Sequence, residues 1–320
     1  MKKKILFAVD GSQKCLDALT TVGELLKDHS DCDLELFHSV QEFSNLYTIE
    51  ADEVDTSKAF AKRAARIGDH VLQAASDVLL ASGFPADRIQ HKVNLASEDP
   101  AEDILKRARA EGISTIALGR RGLSKVEEFL LGSVSNKVAH HSGRTAVWIV
   151  DTPVHQSRKV LLAVEGVQDC LALTHYAGEF FGSIPRLEFT LLHLIPPVPP
   201  AFWDDGHILS PEEKKDRKAH AEKWRSEWMK QAEKYMSEGR NFLVQKGVPP
   251  ENVTTTIVPT REGVASDLLN EIEDKHYEIV LMGKKSFHKK TPYLLGNRAN
   301  KTLHKARGVI LCLLDFLSSR

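Results

Sequence analysis

Lys4-Ile5-Leu6-Phe7-Ala8-Val9-Asp10-Gly11 returns 155 residues later as Lys159-Val160-Leu161-Leu162-Ala163-Val164-Glu165-Gly166. The same offset carries Leu36-Phe37-His38-Ser39-Val40 onto Leu191-Leu192-His193-Leu194-Ile195. Farther along the offset becomes 164. Gly83-Phe84-Pro85 then matches Gly247-Val248-Pro249, Asp103-Ile104-Leu105 matches Asp267-Leu268-Leu269, and Ile116-Ala117-Leu118-Gly119 matches Val280-Leu281-Met282-Gly283. The step from 155 to 164 puts nine extra residues between Ile195 and Gly247. Pro196-Pro197-Val198-Pro199-Pro200 is the expected place for them, because proline suits neither a helix interior nor a central strand. A period this long marks duplicated domains rather than a solenoid. The 320 residues divide into domains at 1–151 and 157–320, joined by a polar stretch that carries Pro153.

Each copy alternates short apolar runs with helical periodicity. In the first copy, residues 5–9 read as a strand and 13–27 as a helix with Leu16, Leu19, Val22 and Leu26 on one face. A strand follows at 34–40. A long amphipathic helix at 57–81 places Phe60, Ala64, Ile67, Val71, Ala74 and Val78 on one side, and Gly83 stops it. Then come a strand at 88–94, a helix at 100–110 opened by Pro100, a strand at 114–118, a helix at 133–141 and a strand at 145–150. The second copy follows the same plan and ends on a strand at 309–314. The pattern predicts an α/β fold: two tandem flavodoxin-like or Rossmann-like domains, each a five-stranded parallel sheet with helices on both faces. Ligands of such sheets sit beyond the carboxyl ends of the strands, at the topological switch point.

Composition narrows the function classes. Apolar residues make up 42% and charged residues 27%, as in ordinary globular domains. The net charge of −1 gives no global field toward nucleic acid or a membrane. The lysines at 2–4 precede an apolar run of only five residues, too short for a secretory leader or a membrane span. Cys15, Cys32, Cys170 and Cys312 are scattered and form no C-x-x-C pair, which points away from a zinc knuckle or a disulfide framework and toward a reducing cytoplasm. There is no Walker A lysine motif, no G-x-G-x-x-G after the first strand and no G-x-S-x-G elbow. His140 and His141 are adjacent, so they cannot share a helix face around a metal. His38 and His193 hold equivalent strand-end positions and read as structural.

The chemistry concentrates after the fourth strand. Gly119-Arg120-Arg121-Gly122 is separated by nine residues from Gly132-Ser133. Gly119 leaves the strand where a ligand would sit, and glycine there permits positive φ or a close approach of phosphate to the backbone. Gly132-Ser133-Val134-Ser135 opens a helix, whose free N–H groups and partial positive charge attract anions. Arg120, Arg121 and Lys125 add positive charge.

Gly119-x-x-Gly122-x₉-Gly132-Ser133, together with Val9-Asp10-Gly11-Ser12 at the end of the first strand, resembles the ATP-binding signature of the universal stress proteins. The resemblance runs over both halves, and it implies ATP lying across the strand ends of the first domain, with Mg2+ balancing the phosphates. Asp10 would meet the ribose or adenine side and the Val40 backbone the adenine edge. Gly119, Gly122, Gly132, Ser133 and Ser135 would hold the phosphates, with Ala8, Leu118, Arg121 and Val134 completing the site. It also implies pairing of the two domains through their last strands, 145–150 beside 309–314, and further association into a homodimer.

The second copy keeps the spacing and changes the residues. Ser286, Asn297, Arg298 and Ala299 stand where the first copy has Gly122, Ser133, Val134 and Ser135, and Glu165 replaces Asp10. The expectation is a second domain that serves mainly as a built-in dimer partner, while its loop gains Lys284, Lys285, His288, Lys289 and Lys290. A helix at 211–247 places Trp224 and Trp228 on one face, read as packing on the sheet. Phe202 and Trp203 beside the proline run are candidates for a lid. The leading function is an ATP-binding stress or signalling protein. The alternatives are a nucleotide-independent interaction module with vestigial motifs, or a slow ATPase with no marked catalytic residue.

Overall fold

β1 (Lys3–Ala8) forms where the first apolar run predicted it, with Ile5, Leu6 and Phe7 buried. It lies between β2 (Cys32–Gln41) and β4 (Thr115–Gly119), parallel to both, so Ile5 faces Leu34 on one side and Thr115 on the other. β3 (Ile89–Ser97) adds to β2, and β5 (Ala146–Val150) adds to β4, again in parallel. The structure, a computed structural model, describes residues 3–41, 53–121, 131–198, 210–284 and 295–315.

The chain divides into two units. One holds the residues up to Gln156, Leu295, and those from Arg307 onward; the other holds Ser157 to Lys284 and Gly296–Ala306. In the first unit the strand order is β3-β2-β1-β4-β5, with β10 (Ile310–Leu314) beyond β5. The chain winds outward from β1 to β3 and then jumps back across β1 to β4. With right-handed crossovers, this reversal sends α1 (Gln13–Leu26) and α2 (Glu53–Ala81) to one face and α3 (Pro100–Ala110) and α4 (Ser133–His141) to the other. In agreement, α1 packs on α2, and α3 on α4. The switch point lies between β1 and β4.

β5 and β10 are buried along their whole length, and they pair antiparallel with Trp148 opposite Cys312 and Val150 opposite Ile310. The last strands of the two copies therefore meet as the sequence implied. Pairing satisfies a sheet edge that would otherwise expose unbonded N–H and C=O groups.

Buried charge occurs where it is paired. Glu35 of β2 is 2% exposed and accepts from Arg107 of α3 through both guanidinium contacts, at 2.7 and 2.8 Å, with Lys4 at 2.6 Å. Burial alone would raise the Glu35 carboxyl pKa, but Arg107 and Lys4 hold it below the usual range.

The second unit repeats the plan with β6 (Lys159–Val164), α5 (Val167–Phe180), β7 (Glu188–Ile195), α6 (Pro211–Gln245), β8 (Val253–Pro259), α7 (Val264–Lys275), β9 (Ile279–Gly283) and α8 (Asn297–Lys305), in strand order β9-β6-β7-β8. One difference bears on the site. α6 runs 35 residues against 29 in α2, and by the 164-residue offset it begins six residues before the counterpart of Glu53. Part of the insertion therefore goes into extra helix rather than into the proline run. Ser210 and Glu213 cap that added turn reciprocally, with Pro211 at its first position. Phe202 and Trp203 lie outside the described residues.

Candidate functional site

The strand ends at the switch point form a cleft. Val9 extends the β1 alignment by donating its N–H to the Phe37 carbonyl at 2.8 Å. His38 Nδ1 sits 2.6 Å from the Val9 carbonyl oxygen; since that oxygen can only accept, Nδ1 carries the proton and the ring acts as a brace. Gly11 then turns the chain at φ +80°, where a side chain would be strained and its Cβ would press Val71 at 3.2 Å. Asp10 is fixed by this turn. Its Oδ1 accepts from the Ser12 N–H at 2.9 Å and the Ser12 hydroxyl at 2.7 Å, while Ser12 caps α1 by accepting from the Cys15 N–H.

The other wall is the end of β4 and the start of α4. The loop leaves at Gly119 and returns so that the Gly132 N–H donates to the Arg120 carbonyl at 3.0 Å. Gly132 is the N-cap of α4 and offers no side chain to accept from the first-turn N–H groups. Neither Gly119 nor Gly132 uses positive φ, so that reason for glycine at 119 does not apply. Packing explains Gly119 instead: a Cβ there would lie 3.2 Å from the Arg121 carbonyl and 3.5 Å from Cys15 Cα. At Gly132 it would come within 3.4 Å of the Arg120 carbonyl. Ser135 Oγ donates to the Gly119 carbonyl at 2.8 Å, tying α4 to β4 and leaving its lone pairs, rather than its proton, toward the cleft.

Between these walls lies a cavity of about 250 Å³. Ala8, Asp10, Leu118, Gly119, Arg121, Gly132, Ser133, Val134 and Ser135 all line it. Val40 does not: it is buried in β2 at an irregular register, and Phe37, His38 and Ser39 present that strand to the cavity instead. Gly122 and Lys125 lie outside the described residues. Arg120 is 3% exposed and turns toward Asp151, 3.7 Å away, rather than into the cleft. Burial pushes its pKa down to about 10 against the pull of Asp151. Pro100 and Ile104 of α3, and Cys15 of α1, line the cavity without having been singled out from sequence. The helix after β3 must start beside the same strand ends, which is the signal that would have found the first two. The Cys15 thiol donates to the Ala8 carbonyl at 3.5 Å, and burial raises its pKa far above the ordinary thiol range, so it packs rather than reacts.

The second unit reproduces this backbone and carries different side chains at the equivalent positions. The Gly296 N–H donates to the Lys284 carbonyl at 2.7 Å, and His193 Nδ1 stands 3.0 Å from the Val164 carbonyl. Arg298, in the place of Val134, reaches Glu165, in the place of Asp10, at 2.8 Å. Asp169 Oδ2 accepts from the Glu165 N–H at 2.6 Å. Burial pushes the Asp169 carboxyl up to about 7, with Arg298 opposing. Trp228 of α6 donates its indole N–H to His193 Nε2 at 2.8 Å; the position equivalent to Trp228 in the first unit is Ala64. The tryptophan face thus packs on a strand-end histidine, as read. Ser286 and the lysine-rich part of that loop lie outside the described residues.

Among the described residues, no group of three His, Cys, Asp or Glu side chains is placed to hold a metal ion, and no helix is long and apolar enough to cross a membrane. The model of the universal stress protein family matches residues 1–150 and again 156–312. The chain is 30% identical over 149 residues to the universal stress protein YxiE of Bacillus subtilis (strain 168), covering 44% of this chain and 95% of that protein. It is 27% identical over 128 residues to a universal stress protein of Methanothermobacter thermautotrophicus, covering 38% of this chain and 86% of that one. Among solved structures, a universal stress protein from Archaeoglobus fulgidus DSM 4304 is similar over 98% of both chains, with a TM-score of 0.60 at 18% identity.

Proposed function

This chain belongs to the universal stress protein family, a tandem member with two copies of the family's domain, and from that premise we propose that its first half binds ATP while its second half acts mainly as a folded partner. The observation that carries the proposal is the meeting of two unlike groups in one cleft. The α4 N-terminus, with a glycine N-cap, faces across the cavity from the Asp10 carboxylate. A helix N-terminus favours the phosphates by its N–H groups and dipole. A fixed carboxylate at a strand end accepts from ribose hydroxyls. The apolar walls, Phe37, Ile104, Leu118 and Val134, suit a base.

The residues present fit a nucleotide and accommodate Mg2+ only sparingly. Asp10 is the sole carboxylate among the described lining residues, so the ion would keep to the phosphates, Asp10 and water. One carboxylate already committed to Ser12 favours holding ATP over hydrolysing it, because hydrolysis needs a group that positions the attacking water. We place the protein in the cytoplasm, where four free and buried cysteines stay reduced, and in stress or signalling roles that read nucleotide level.

The test is to purify the full chain, identify any nucleotide that accompanies it by mass spectrometry, and titrate ATP calorimetrically. Saturable binding that disappears in the double variant Gly122→Ser with Ser133→Asn is the expected result. An absence of binding at roughly millimolar ATP, which corresponds to about 4 kcal/mol of affinity, would overturn it.

A further inference from the structure

The two strand-end histidines make the same backbone contact and differ in what meets the rest of the ring. His193 Nδ1 stands 3.0 Å from the Val164 carbonyl, and its Nε2 accepts the Trp228 indole N–H at 2.8 Å. Tyr235 packs edge-on against the same ring, with its hydroxyl 3.1 Å from Nδ1. His193 is 1% exposed, so its polar atoms are met inside the second unit. In the first unit the 164-residue offset puts Ala64 in the place of Trp228 and Val71 in the place of Tyr235. Neither side chain can donate a hydrogen bond.

Among the described residues, His38 meets the Val9 carbonyl through Nδ1 and makes no other hydrogen bond. With the proton on Nδ1, Nε2 of the neutral ring carries a lone pair and can only accept. His38 is 8% exposed, yet it lines the cavity of about 250 Å³. A buried acceptor is costly to leave without a donor, and the opening that this one borders is the ligand cleft.

The strand order says which part of a nucleotide comes there. The α4 N-terminus follows β4, Asp10 follows β1, and His38 lies on β2, with β1 between the other two strands. Neighbouring strands are about 4.8 Å apart, so β2 lies roughly 10 Å from β4. Phosphates at α4 and a ribose at Asp10 leave the base beside Phe37 and His38. The donor that adenine offers is its exocyclic 6-amino group.

We propose that His38 is a specificity-determining residue of the cleft: its Nε2 accepts from the 6-amino group of the base. The inference rests on the ATP reading of the cleft and adds the side chain that reads the base. A site built to bond an N–H rejects the analogue that lacks it, because the buried acceptor is then left unpaired. In the second unit the same atom is already taken by Trp228, so that histidine keeps no lone pair for a ligand.

The test titrates the full chain with ATP and with purine riboside triphosphate, which lacks only the 6-amino group. We expect ATP to bind at least about tenfold more tightly to the unaltered chain. The preference should fall to about onefold in His38→Asn, whose shorter amide still donates to the Val9 carbonyl and puts no atom at the Nε2 position. Circular dichroism checks that this variant is folded. His38→Leu, which also lacks the acceptor, replaces it if the strand end is disturbed. Equal affinity of the unaltered chain for the two nucleotides overturns the proposal, whatever the variants do. So does a preference that survives in the folded variant, or a loss there that is equal for both nucleotides, which would leave His38 as a brace or a ribose contact. Absence of ATP binding overturns this inference together with the ATP reading, whereas ATP binding without preference overturns this inference alone.

Discussion

The strand-end sites of the two units share a backbone and differ in what fills it. In both, the loop after the fourth strand closes with the same hydrogen bond, Gly132 to Arg120 in one and Gly296 to Lys284 in the other. In both, the helix begins at a glycine in extended conformation, and a histidine braces the end of the first strand. The first leaves a cleft with Asp10 on its wall. In the second, Arg298 pairs with Glu165, and Trp228 is bonded to His193. The two units thus share the loop geometry of the proposed site and differ in a few side chains around it.

The comparison breaks most sharply if the filling can be moved. Asp10→Glu with Val134→Arg transplants the ion pair into the first unit. We expect ATP affinity to fall at least a hundredfold, about 3 kcal/mol, because the guanidinium takes the nucleotide's space and the carboxylate its partner. Calorimetric titration measures it, and unchanged affinity would show that the pair is not what closes the second site.

The units also differ in how they carry buried charge. The first has Lys4, Glu35 and Arg107; the second has Thr190 and Glu271 at the last two positions. Arg107→Ala leaves the buried Glu35 carboxylate with Lys4 alone, so the unfolding transition of the first unit should lose about 2–3 kcal/mol, with the second unaffected. Glu35, held below its ordinary pKa, gives stability that is present above the unfolded value near 4 and lost as pH falls through the folded one. Urea unfolding of the variant should therefore approach the unaltered chain in strong acid.

Trp228→Phe keeps an aromatic ring, smaller than the indole, and removes the donor to His193. A loss of about 1 kcal/mol in the second unit is expected, with no gain of ATP binding, since Arg298 still holds Glu165.

The smallest effect is the pH response of that same histidine. Burial lowers the His193 pKa, so below about 6.5 the unfolded chain takes up the proton first. Stability of the second unit should then fall as pH drops from 6.5 toward the folded value. Asp169, raised to about 7, works in the opposite sense, so only the difference between the unaltered chain and His193→Gln in urea unfolding at several pH values isolates the effect.

Much of this was legible before the structure. Two constant offsets identify the duplication, and alternating strand and helix patterns locate α3 and α4 to the residue. The nine-residue spacing between Gly122 and Gly132 points to the loop, and the family resemblance implies the β5–β10 pairing of the two apolar last strands. What escaped depends on distance in space rather than in sequence. Arg120 and Arg121 are neighbours in the chain, yet only Arg121 lines the cleft while Arg120 turns to Asp151. Val40 lies in the second strand, which runs on to Gln41 past the end expected at 40, and it stays outside the lining at an irregular register. Arg298 and Glu165 stand far apart in the chain; the repeat places them where Val134 and Asp10 stand, and the structure adds the ion pair between them. The start of α6 did not escape, since the helix read at 211–247 begins where its capping box and proline place it.

The most direct measurement is the number of ATP molecules bound per chain at saturation, by equilibrium dialysis of this 320-residue chain and of its Ser133→Asn variant. The asymmetry described here predicts one per chain, and none in the variant. Two per chain, or one that survives in the variant, would contradict it.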